Sequence, residues 1–407
     1  MKKLLLVLVL LTSCTPKGSK LEQQAAAGDA AAQYSLAEMY YKGDSVAVDK
    51  TKAAEWYTKA AEQGNAAAQN SLGKMYKKGE GVTMDKTKAL EWYTKAAEQG
   101  YARAQNNLGY MYDKGEGVAI DKTKAVEWYT KAAQQGDARG QNKLGYMYRK
   151  GEGVTMDKTK AVEWYTKAAE QGNASGQFSL GYMYLKGEGV AVDKKKAVEY
   201  VIKSAEQGDA EPQYILGRIY HDGDGVAIDK KKAVEWYTKA AEQGGVEAQN
   251  KLWLMYVEGD GVAMNKTKAA EWCTKAAEQG DANAQCNLGN MYAYGDGVAL
   301  DKSKAMEWYT KAANQGIASA QNNLGAMYNN GDGVLTNKNT ALEWYTKAAK
   351  AGNAVAQNNL ARYYYYGEGV QQDNSKAAYW CEQAYKNGHK EAKAFWDKEE
   401  LWKYLDK

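Results

Sequence analysis

Residues 100–135 read GYARAQNNLGYMYDKGEGVAIDKTKAVEWYTKAAQQ, and the pattern recurs every 36 residues from Gly28 onward without insertion or deletion. Within this stretch the apolar side chains Ala104, Leu108, Met111 and Tyr112 fall at i, i+4, i+7 and i+8, the spacing of one helical face rather than of a strand. Ala125, Trp128, Tyr129, Ala132 and Ala133 form a second stripe of the same kind. Each unit therefore predicts two helices, A over 102–113 and B over 122–134. Ten full copies and a truncated eleventh follow one another, the mark of a solenoid whose units bury their apolar faces against their neighbours.

The punctuation fits. An Asp or Asn precedes helix B in every copy (Asp49, Asp85, Asp121, Asp157, Asp193, Asp229, Asn265, Asp301, Asn337, Asp373), where its side chain can accept bonds from unpaired amide groups of the first turn. The repeat glycine ends helix B, and Asp or Asn often follows it to start the next helix A, so consecutive helices must pack antiparallel. The loop Lys114–Val118 carries two glycines suited to positive φ and a valine to plug the end of the pair. A leucine recurs unchanged from Leu36 to Leu360, and a glutamine three residues before it (Gln33, Gln69, Gln105, Gln141) is expected to satisfy backbone carbonyls between stacked units.

Lysine plus arginine (54) nearly balances aspartate plus glutamate (50), which gives no electrostatic case for nucleic acid. Residues 1–13 read as a signal peptide: Lys2-Lys3, then an apolar run from Leu4 to Leu11 that is too short to span a bilayer. The run ends in Leu11-Thr12-Ser13-Cys14, which resembles the bacterial lipobox, in which the cysteine is lipidated after cleavage. Residues 14–19 are then a lipidated cysteine and tether, 20–27 an N-terminal capping helix, 28–387 ten repeats, and 388–407 a C-terminal capping helix. The final helix is expected to hold Phe395, Trp396, Trp402 and Leu405 on one side. These readings place the protein in the bacterial cell envelope as a lipoprotein facing the periplasm or cell surface, held to the membrane by its lipid alone. Cys273 and Cys286 flank the turn at Gly280, so one bridge fits the spacing; the preferred reading takes Cys273 and Cys381 as small core substitutes for a recurrent tyrosine.

The pattern A-x-A-Q-x-x-L-G-x-M-Y, then G-x-G-V, then D-x-x-K-A-x-E-W-Y-x-K-A-A-x-x-G resembles the Sel-1-like repeat (SLR) family, relatives of the tetratricopeptide repeat. The resemblance covers 28–387. It implies an all-α solenoid, a right-handed superhelix of antiparallel helix pairs with helix A on the concave side, and a scaffold for protein complexes. Some cysteine-rich relatives are associated with β-lactamase or penicillin-binding activity; this chain lacks their paired cysteines.

The positions that escape the repeat lie on helix A. Two residues before the fixed leucine stand Asn70, Asn106, Asn142, Asn250, Asn322 and Asn358, and asparagine is a mediocre helix former whose repetition seeks a reason. An amide there can grip an extended peptide backbone. Two after the leucine stand Tyr110, Tyr146, Tyr182, Arg218 and Arg362, and five after it stands Arg149. These residues are the candidate binding surface for a protein or peptide partner in the envelope, with no catalytic residue, cofactor or metal. His221 and His389 each read as ordinary surface residues. Two other functions are set beside this one: binding or hydrolysis of β-lactams or peptidoglycan fragments, and glycan binding on the tyrosines. Trp253, in place of a small residue, is expected to make repeat seven splay or re-pack.

Overall fold

A computed structural model of the protein describes residues 17–405. The signal-peptide reading and Cys14 lie outside them. Among the described residues every α-helix belongs to the repeats or their ends, and the chain divides into two compact units, Met1–Gln207 and Gly208–Lys407. The first holds a helix Lys17–Ala26 and five helix pairs, from Ala30–Lys42 with Lys50–Glu62 to Ala174–Lys186 with Lys194–Ala205. The second runs from Ala210–Asp222 with Lys230–Glu242 to Ala354–Tyr366 with Asn374–Lys386, and closes with Lys390–Lys398 and a short 3-10 helix, Leu401–Tyr404.

The capping residues set these boundaries. Each Asp or Asn before helix B accepts a bond from the backbone N–H three residues on, as Asp121 does from Lys124 at 2.9 Å. The glycine closing helix A, such as Gly115 at φ 69°, is left-handed and returns its N–H to the carbonyl of Met111. The next loop glycine has a second task. A Cβ on Gly117 would lie 2.4 Å from the carbonyl oxygen of Lys86, at the start of the preceding repeat's helix B. The first copy, with no complete helix B before it, carries Ser45 at φ 65° instead.

Most core layers form around a helix-B tyrosine, with Val201, Cys273 and Cys381 in its place in repeats five, seven and ten. Tyr93, Tyr129 and Tyr165 are buried among the alanines of their own helix and the leucine and methionine of helix A. The glycine after the fixed leucine makes room for that ring: a Cβ on Gly145 would stand 2.8 Å from Tyr165. Repeat seven inverts the arrangement, with bulky Trp253 on helix A and small Cys273 on helix B, so it re-packs by exchanging volumes across the pair. Cys273 Sγ donates to the carbonyl of Ala284 at 3.3 Å, Cys286 Sγ lies 3.3 Å from Ser319 Oγ, and both are free thiols, so the bridge suggested by their spacing is not made. Burial pushes the Cys273 thiol up to about 12 and that of Cys381 to about 11.

Both ends differ from expectation. The N-terminal helix begins at Lys17, taking in three residues read as tether. The single long C-terminal helix breaks at Glu400, which is left-handed at φ 51°. The break turns Leu401 fully into the core beside Cys381 and Ala384, while Trp402 and Leu405, expected to pack, are 53% and 39% exposed.

Candidate functional site

The glutamine of helix A is fixed by backbone chemistry. Gln105 Nε2 donates to the carbonyl of Ala97 at 3.1 Å, and its Oε1 accepts from Gln135 at 2.7 Å, so one amide ties two helices B through the helix A between them. The same pair of bonds recurs along each unit. This ladder is buried and structural, as the sequence suggested.

The asparagines two residues before the leucine are buried or half-buried, and Asn70 and Asn250 line grooves. Asn106 and Asn358 are buried at 7% and 4% with Oδ1 unpartnered. Asn70, Asn142 and Asn322 are half-buried, and each accepts a bond from the neighbouring repeat: from Asn107 at 2.8 Å, Ser179 at 3.3 Å and Asn359 at 3.2 Å. Asn250 lines a groove of about 350 Å³ with Tyr214, Trp253 and Leu254. Asparagine thus recurs here because a short amide can bridge helices as well as face a ligand, a use the sequence alone does not separate from recognition.

Five residues beyond the leucine, the variable side chain meets the loop acid of the following repeat. Tyr41 donates to Glu80 at 2.6 Å, Lys77 pairs with Glu116 at 2.9 Å, Arg149 with Glu188 at 3.1 Å, and His221 with Asp260 at 3.2 Å. The first lysine of helix B joins the same acid: Lys50, Lys86, Lys158 and Lys230 lie 2.5–3.5 Å away. Where the variable residue is itself acidic, Asp113, the lysine Lys122 spans both Asp113 and Glu152. Burial opposes the charge on Glu116 and Glu188, but the Lys77 and Arg149 bonds outweigh it and hold both carboxyls below their ordinary range. Arg149 also lies over the Tyr182 ring at 4.4 Å, so both of these candidates are engaged within the fold. His389 caps the final helix, accepting the Ala392 N–H.

Other candidates stay accessible. Tyr146 is 36% exposed, and Arg218 and Arg362 are exposed, Arg362 lying 5.1 Å from the Phe395 ring. Tyr110 is flanked by Lys77 at 4.0 Å and Lys143 at 5.8 Å.

A groove of about 530 Å³ lies on the helix-A face of the first unit between repeats one and four; of its residues, contributed by four copies, the candidate set includes only Asn70. Its walls carry Lys42, Lys74, Lys77, Lys78, Arg103 and Arg139 against the single carboxylate Glu38. Ser71 and Lys74 there make a Ser-x-x-Lys spacing, which in some acyl-transfer enzymes supplies a nucleophile and its base. Here the Ser71 hydroxyl serves the phenols of Tyr34 and Tyr57, and the Lys74 ammonium lies over the Tyr41 ring at 5.3 Å. No bond joins Ser71 to Lys74 among the described residues. Among the described residues no cluster of three potential metal ligands occurs, and no helix is long and apolar enough to cross a membrane.

The Sel1 repeat matches ten consecutive segments, from 30–65 to 354–389. Among solved structures, the chain is similar to a protective antigen present in uropathogenic Escherichia coli strains and displaying an SLR fold, with 38% identity over 95% of this chain and 92% of that one, and a TM-score of 0.51. It is also similar to a Sel1 repeat protein from Oxalobacter formigenes, with 36% identity over 76% of this chain and 90% of that one, and a TM-score of 0.56. No curated protein matches significantly. With its repeats matched in register from 30 to 389, the chain belongs to the Sel1-repeat family, an all-helical solenoid scaffold of a kind that is typically non-catalytic and supports protein interaction.

Proposed function

We propose that this protein is a lipid-anchored adaptor of the bacterial cell envelope, holding a protein or peptide partner along its helix-A face. The observation that carries the reading is the division of labour within the repeat. Leucine, tyrosine, glutamine and glycine are spent on the frame, whereas accessible residues such as Tyr146, Arg218 and Arg362 change from copy to copy. A frozen scaffold with a varied face supplies area and chemical contrast for recognition, and tyrosine and arginine are the side chains enriched at such interfaces. Lipidation at Cys14 supplies the anchor, and several acyl chains together hold stably where one does not.

Photo-crosslinking in cells tests the recognition surface. A photoreactive residue at position 146 is expected to capture a defined protein that one at position 95, on a helix B, does not. The captured protein must then bind the purified chain; identical capture patterns from both positions overturn the reading. Cys14→Ser is expected to shift the protein from the detergent-extracted membrane fraction to the soluble fraction, and retention in the membrane removes the lipid anchor from the proposal. Nitrocefin turnover above a denatured control would replace the adaptor with an enzyme.

A further inference from the structure

We propose that the helix-A groove of repeats one to four binds an acidic, extended polypeptide segment. This rests on the protein-binding reading and specifies the chemistry of its partner.

The groove's cations are only partly compensated. Lys42 pairs with Glu38 at 2.5 Å, Lys77 with Glu116 at 2.9 Å, and Arg139 lies 3.9 Å from Asp137. No described carboxylate comes within ion-pair distance of Lys74, Lys78 or Arg103, which are exposed on the groove walls. Lys143 lies one turn beyond Arg139 on the same helix A, Ala138–Lys150. It is half-buried, its ammonium lies 5.8 Å from the centre of the Tyr110 ring, and burial holds it below the ordinary lysine value although the Asp113 carboxylate pulls the other way. A cation whose lost hydration is only partly made good by a counter-charge is stabilised by an anion brought to it, so a groove with this excess of cations favours carboxylates.

The polar groups between those cations suit a peptide backbone. Asn107 Nδ2 donates to Asn70 Oδ1 at 2.8 Å, which leaves the Asn70 amide N–H groups and the Asn107 carbonyl for an occupant. One donor and one acceptor side by side match the N–H and C=O of an extended residue. A nucleic acid strand would need open aromatic faces for its bases. Of the rings that line the groove, Lys50 and Lys74 lie over Tyr41 at 5.5 Å and 5.3 Å, Tyr34 packs against Tyr57 at 5.8 Å and Tyr93 is buried, which leaves Tyr101 rather than a row of open rings.

Fluorescence anisotropy on the purified full chain tests this, with a labelled ten-residue peptide of alternating Glu and Gly and a second peptide in which every Glu is Gln. The acidic peptide is expected to bind at least about ten-fold more tightly than its neutral counterpart, and to weaken steeply as salt shortens the screening length. Lys74→Glu with Arg103→Glu is expected to cost about ten-fold or more, while Lys95→Glu, on a helix B, stays within about two-fold. Circular dichroism and a melting curve confirm that both variants fold. Equal binding of the two peptides, equal loss in both variants, or displacement of the acidic peptide by a lower concentration of single-stranded oligonucleotide overturns the proposal. If the acidic peptide fails while the crosslink at position 146 still captures a binding protein, the adaptor stands and only the acidic chemistry falls.

Discussion

Gln321 shows what one side chain contributes to the stack. Its Nε2 donates to Ala313 at 3.1 Å, but position 351, where eight earlier copies supply glutamine, is Ala351, and Gln321 Oε1 is buried without a partner. Ala351→Gln is expected to stabilise the second unit by roughly 0.5–1.5 kcal/mol, the net worth of one hydrogen bond, as an increase in its urea midpoint. An unchanged or lower midpoint would show that the carbonyl is satisfied by other means. Glycines with the same left-handed φ are not equivalent either. A methyl group added at Gly136 would meet nothing within 4 Å, whereas one added at Gly117 would abut the Lys86 carbonyl. Gly136→Ala should cost about 1–2 kcal/mol of backbone strain, and Gly117→Ala a further 1–3 kcal/mol or so of overpacking; equal costs in denaturant titrations would refute the inter-repeat contact. Both glycines were legible in the sequence as turn residues, but the contact that separates them was not, because it joins residues of different copies.

Between helices, two devices decide how neighbours register. The loop acids Glu80, Glu116, Glu188 and Asp260 are all held below their ordinary values, Glu80 chiefly by the Tyr41 hydroxyl and Asp260 chiefly by Lys230. A carboxyl depressed in the folded state adds stability that is fully present above its unfolded value, 4.5 for the glutamates, and is lost as pH falls through the folded value. Stability of the wild type should therefore decline below about pH 4.5, and the combined change of Glu80, Glu116 and Glu188 to Gln should flatten that decline in urea titrations. A slope unchanged by the substitutions would assign acid sensitivity elsewhere. The second device is the exchange of volumes in repeat seven. Trp253→Gly should cost about 3–5 kcal/mol through the cavity it leaves, Cys273→Tyr should cost about 1–3 kcal/mol through overpacking, and the double variant should recover most of both. Additive losses in that cycle would show that the two residues do not share one space. The sequence displayed both exceptions, as an oversized residue and a missing tyrosine, yet only packing shows that they are one event.

Over the whole chain, stability is assembled from neighbour contacts, so the ends carry less of it than the interior. Leu401 is fully buried under the last helix pair. Leu401→Asp should abolish hydrogen-exchange protection from 374 to 405 first and leave helices such as Lys86–Glu98 protected; uniform loss along the chain would mean that it unfolds as one cooperative body. The sequence by itself determined the 36-residue unit, its two helices, their caps and the buried leucine, tyrosine and glutamine frame, because local periodicity and capping chemistry repeat in every copy. Tertiary structure decided what lies between copies. It turned Leu401 rather than Trp402 into the core, joined Asn70 to Asn107 of the next repeat, committed Arg149 to Glu188, and gathered cations from repeats one to four into one groove. Those outcomes depend on contacts between different helices, such as Asn70 with Asn107, 37 positions apart, and Arg149 with Glu188, 39 apart, which spacing on a single helix face does not encode.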